Sequence, residues 1–221
     1  MKRIILLFIS VIPFFFFLSR DAFDNYSYRV DVGNIIELLL NISPIIIYVL
    51  WDAMRKKEST IKIYLIKSLY YVYIYHVLFY VLLYIPFYQF ISQPLLPELD
   101  QEPIRYNLVL FQTISGSITF INIYGNLLLM LPLGILLPLI YDGKLNKSKK
   151  TIPILFFIIL SIEVIQLIVS YIDAKFSEWP YSRSFDVDDL MLNFAGAILG
   201  YFIYRVIIVP VSNKVKRRRV K

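Results

Sequence analysis

Long apolar runs constrain this chain more than any other feature of it. A helix needs about 20 residues at 1.5 Å each to cross the hydrocarbon core of a bilayer, about 30 Å thick. Runs approaching or exceeding that length recur at residues 35–51, 63–91, 121–141, 151–172 and 186–209. A shorter one, 4–18, follows Lys2 and Arg3 in the manner of a signal peptide. Ser19-Arg20-Asp21 is a poor cleavage site, so this run is read as a retained first span. The expected fold class is therefore all-α: a polytopic membrane helix bundle of about six transmembrane helices. Charged residues make up 18% of the chain, below the roughly 25% of soluble domains, and the longest polar interval, about 30 residues, leaves no room for a second soluble domain. With no cysteine, disulfides, thiolate metal sites and cysteine nucleophiles are excluded.

Charge placement orients the bundle. With six spans and an inner N-terminus, the outer loops keep only Arg20, Arg29, Arg105, Lys175 and Arg183 of the 23 basic residues. The rest, Lys62 and Lys67 included, fall on the cytoplasmic side, a strong positive-inside bias that puts both termini in the cytoplasm. The net charge of +7 is thus read as an anchor on an anionic inner leaflet rather than as a nucleic-acid arm. The expected organisation is three spans and a long outer loop over 1–105, a core of three spans over 106–209, and a basic tail over 210–221. Within the longest connection, residues 106–114 are apolar enough to lie on the membrane or dip into it.

Polar residues inside the last three spans mark where function should be sought. Over residues 183–201, Asp186, Asp189 and Asn193 follow at spacings of three and four, sharing one helix face, and Gly196 and Gly200 continue it as a small-xxx-small strip for a close helix neighbour. Glu163 lies about 18 Å up from the inner face and Asn193 about 10 Å down from the outer one. Asn126 reaches a similar depth. Glu163, with Gln166 at i+3, is thus expected to contact Asn193 or Asn126 in a cavity open to the outside. A carboxylate at such depth carries an insertion penalty of roughly 2–3 kcal/mol and calls for a partner, a cavity or a proton.

These residues also carry a resemblance. The run Asn122-Ile123-Tyr124-Gly125-Asn126 through Pro132-Leu133-Gly134, the segment Ser161-Ile162-Glu163-Val164-Ile165-Gln166, and Arg183 through Gly200 occur in the order and spacing of the VanZ-like family. Residues 106–114 resemble its outer-loop segment Asn-Leu-x-Pro-Phe, with Leu110 in place of the proline and Gln112 where a basic residue is common. The resemblance covers about 106–204. It implies a cell-envelope role in a Gram-positive bacterium, associated with resistance to teicoplanin, a glycopeptide with a lipid tail; it supplies no mechanism.

Several readings stay open on sequence alone. Glu163 and Asp189 are candidate catalytic residues, as acid/base or cation ligands, and Glu163 is equally a proton carrier or a neutral acid stabilising the bundle. Asn126, Gln166, Arg183, Asp186 and Asn193 are candidate substrate-binding residues. Asp186, Asp188 and Asp189 either hold a divalent cation or cap a helix start. The expected partners are membrane lipids, with a lipid-linked cell-wall intermediate or a lipoglycopeptide as the ligand and no nucleic acid; no cofactor is indicated. A proton-coupled transporter or flippase, or a structural envelope scaffold, is the alternative function. The expected location is the plasma membrane, crossed several times.

Overall fold

The computed structural model describes residues 32–55, 61–78, 106–116, 120–141, 145, 147–176 and 185–211. The first apolar run, Arg183, Trp179 and the basic tail lie outside these residues. Contacts divide the chain into two compact units, Met1–Ile104 with Ile168–Ser182, and Arg105–Leu167 with Arg183–Lys221.

In the first unit, α1 (Val32–Arg55) and α2 (Ile61–Val77) pack together. Their buried residues recur every three or four positions: Ile42, Ile45, Val49 and Asp52 on α1, and Tyr64, Lys67, Tyr71 and Tyr75 on α2. That period gives each helix a single inward stripe. The opposite faces expose Leu39, Ile47, Leu50, Leu65 and Leu69. Charge sits inside the stripe. Lys67 Nζ donates to Asp52 Oδ2 at 2.5 Å, Tyr71 Oη donates to the same oxygen at 2.5 Å, and Lys67 is 3% exposed. Lys67, counted among the cytoplasmic charges, is thus not a solvated one; its ammonium is desolvated against α1. The expected third span over 63–91 is described only as far as residue 78.

The second unit contains β1 (Tyr106–Asn107), the short α3 (Gln112–Gly116), α4 (Phe120–Ile140), α5 (Ser148–Phe176) as far as Leu167, β2 (Phe185–Asp186) and α6 (Val187–Ile203). A π-helical turn (Tyr204–Ile208) continues α6. Three helices here are long and apolar enough to cross a membrane, over Asn122–Ile140, Ser148–Ile172 and Val187–Val211. Their outward faces carry Leu128, Phe157, Ile168, Leu199 and Phe202, as a surface against lipid requires.

Helices α4 and α6 run parallel at backbone contact. A Cβ placed on Gly196 would strike the Leu127 carbonyl, one on Gly200 the Leu131 carbonyl, and one on Gly134 the Ala197 carbonyl and Tyr201 amide. The glycine strip expected on α6 is thus matched by a glycine on α4. Gly134 and Pro132 stand inside a continuous helix, where Gly134 serves the close approach. Helix α5 joins through side chains instead. Phe156 meets Phe194 edge-on at 5.4 Å between centroids, and Ser148 Oγ shares a hydrogen bond with Tyr201 Oη at 3.1 Å. Its buried stripe, Thr151, Leu155, Ile159, Glu163 and Gln166, turns polar towards one end.

Candidate functional site

Asp186 sets the start of α6. Its backbone is extended (φ −128, ψ 121), and its Oδ1 accepts the Asp188 amide at 2.8 Å, satisfying a helix-terminal N–H that has no partner within the helix. The same carboxylate reaches back to the loop. Asn107 Nδ2 donates to Oδ1 at 3.2 Å and Thr113 Oγ1 donates to Oδ2 at 2.6 Å. Beside it, β1 and β2 pair in parallel, Tyr106 opposite Phe185 and Asn107 opposite Asp186.

Asp188 is wholly buried by the same loop. Its Oδ1 accepts the Phe111 amide at 2.6 Å, and its Oδ2 accepts the amides of Thr113 at 2.9 Å and Ile114 at 3.2 Å. Three converging N–H groups hold an anion as a helix N-terminus does, while Asp188 and Asp189 also face the positive end of the α6 dipole. Capping, one of the two expectations for the acidic triplet, is seen at Asp186, whereas the Asp188 carboxylate ties the loop to the start of α6. Among the described residues no group of three or more histidine, cysteine, aspartate or glutamate residues is arranged to hold a metal ion.

The remaining polar residues form a column along α6. Asp189 turns towards α4, where Asn126 Nδ2 donates to its Oδ1 at 2.5 Å. One turn on, Asn193 faces α5 and its Nδ2 donates to Glu163 Oε1 at 3.2 Å. The expected contact of Glu163 is thus with Asn193, and Asn126 belongs to Asp189. Glu163 and Asn193 are 2% and 3% exposed, so neither faces lipid. Gln166 is buried one turn beyond Glu163. Asp189 and Asp186 both lie within electrostatic reach of the Glu163 carboxyl. The carboxamide oxygen of Asn193, Oδ1, is buried and has no hydrogen-bond donor among the described residues. Such groups are rare in folded proteins, and each calls for an explanation. Arg183, expected at the rim, lies outside the described residues.

A family model described as VanZ/LLP1 matches residues 71–208. The chain belongs to the VanZ/LLP1 family. Comparison with curated proteins and with solved structures gives no match. The VanZ/LLP1 match takes in the clasped loop, the whole polar column and the π-helical turn, and leaves Asp52 and Lys67 outside it. Family membership and three apolar helices of spanning length together identify a membrane protein.

Sequence reasoning missed Asn107 and Thr113, whose partner lies more than 70 residues downstream. The available signal was the position of Asn107 at the head of the loop segment that resembles the family's. Asp186→Ala removes the cap and both loop ties together. It should lower stability by about 1–2 kcal/mol, read as an earlier thermal transition of the detergent-solubilised protein, with Asp186→Asn retaining part of the loss.

Proposed function

We propose that this VanZ/LLP1 member is a plasma-membrane protein of about six spans, with both termini cytoplasmic. Its polar column binds or modifies an amphiphile in the outer leaflet. A lipid-linked cell-wall intermediate or a lipid-tailed glycopeptide such as teicoplanin fits this reading, and the phenotype would be glycopeptide tolerance in a Gram-positive envelope. The observation that carries it is the buried, donor-less Oδ1 of Asn193 beside the Glu163 carboxyl. An acceptor left without a donor in a low-dielectric interior costs about 1–3 kcal/mol, and a hydroxyl, amide or ammonium of a bound head group would offset that cost. Glu163 stands next to it as the group able to take or give a proton. Asp189, held by Asn126, lies one turn nearer the helix start, and Arg183 is assigned to an anionic head group.

Glu163→Gln tests this directly, because it preserves shape and hydrogen bonding while removing the ionisable group. In cells expressing the chain at normal level, teicoplanin tolerance should fall to that of cells lacking it, with membrane insertion unchanged. Unchanged tolerance in each of Glu163→Gln, Asp189→Asn and Asn193→Ala would overturn the proposal and leave a scaffold role.

A further inference from the structure

The loop between β1 and α3 combines two properties that seldom occur together. Its tip is apolar and outward-facing: Leu108, Val109, Leu110 and Phe111 are each exposed by more than half, as is Tyr106 before them. No charged residue occurs between 106 and 116. Yet six of the seven backbone amides over residues 109–115 are bonded within the protein. The Val109 amide donates to Asn107 Oδ1 at 3.0 Å, that of Gln112 to the Val109 carbonyl at 3.3 Å, and that of Ser115 to the Phe111 carbonyl at 3.0 Å. The amides of Phe111, Thr113 and Ile114 all end on Asp188. Phe111 is held in the left-handed region at φ 63, a costly conformation for a bulky residue that persists only where surrounding contacts impose it.

Water-exposed loops do not need such treatment, since solvent bonds their amides; hydrocarbon does not, so irregular backbone enters a bilayer only with its polar groups satisfied. We propose that residues 108–111 form a wedge inserted among the acyl chains of the bilayer beside the start of α6. Continuity supports this occupant over a protein partner. The clasp residue Asp188 lies in the first turn of a helix long and apolar enough to cross a membrane over Val187–Val211, so a bilayer spanned by that helix would begin beside the tip. Aliphatic and aromatic side chains with no charged residue among them suit lipid. The clasp would hold the wedge at one depth relative to the polar column. The inference rests on the membrane span and not on any substrate of the column.

The natural absence of cysteine makes the test direct. Leu110→Cys and, separately, Val109→Cys in the full chain are labelled with a nitroxide and reconstituted into phosphatidylethanolamine–phosphatidylglycerol vesicles. Collisions with dissolved oxygen and with an aqueous nickel chelate are then read by electron paramagnetic resonance. The expected result at both positions is frequent collision with oxygen and loss of collision with the chelate. Free access of the chelate at both sites would overturn the proposal. So would spin–spin broadening between labels on different molecules, which would instead place a second copy of the chain on the tip.

Discussion

Replacing Lys67 by methionine should destabilise the protein by about 3–5 kcal/mol, the usual cost of leaving one member of a buried ion pair without the other. The arrangement is demanding: one Asp52 oxygen receives both the Lys67 ammonium and the Tyr71 hydroxyl, at 2.5 Å each, from side chains packed between two helices. Without Lys67, Asp52 loses its cationic partner in a largely buried site, with the neutral Tyr71 hydroxyl still donating to that oxygen. The informative comparison is with Asp52→Leu, Lys67→Met and Tyr71→Phe combined. Removing every polar member restores an apolar interface of similar volume, and buried pairs replaced in this way are often neutral or better. The triple variant should therefore unfold later than the single one, measured by thermal unfolding in one detergent. A triple variant less stable than Lys67→Met would show that the pair itself, rather than the stranded carboxylate, sets the energy.

Gly196→Val is the second large effect. The first carbon added at Gly196 falls on the Leu127 carbonyl, and every near neighbour is α4 backbone, which has no rotamer to move aside. The helices would have to separate, losing dispersion contacts along their length. A cost of about 3 kcal/mol or more is expected, at the upper end of overpacking, with poor recovery of folded protein in fluorescence-detected gel filtration. Gly125→Ala is the matched control. Nothing lies within 4 Å of a Cβ there, and removing a flexible residue from a helix interior should stabilise by about 0.5–1 kcal/mol.

What was legible in the sequence was what helical periodicity carries. Asp189, Asn193, Gly196 and Gly200 recur at intervals of three and four, and the structure uses these positions successively against Asn126, Glu163 and the α4 backbone. Apolar run length placed α4, α5 and α6 to within a few residues. What stayed hidden depended on partners distant in sequence. Asp186 and Asp188 stay open to reading as caps or as cation ligands until the loop that covers them is known, and that loop lies more than 70 residues earlier. Lys67 follows a basic stretch and precedes a tyrosine-rich one, so a charge count gives its side of the membrane and not its burial. Only the position of Asp52 across the α1–α2 interface draws it inward. The left-handed backbone at Phe111 has no sequence signal of its own, because glycine or asparagine would be expected at such a φ.

The contact between α4 and α6 has a mechanical consequence. With carbonyls seated against glycines, no layer of side chains lies between the two backbones to exchange one packing for another, which is how helices ordinarily slide past each other. The pair behaves as one stiff blade. Helix α5 meets it through a phenylalanine pair, a serine–tyrosine bond and the glutamate–asparagine bond, each of which can re-form after a small displacement. A rearrangement that admits a ligand to this half of the molecule is therefore expected of α5 rather than of the α4–α6 pair.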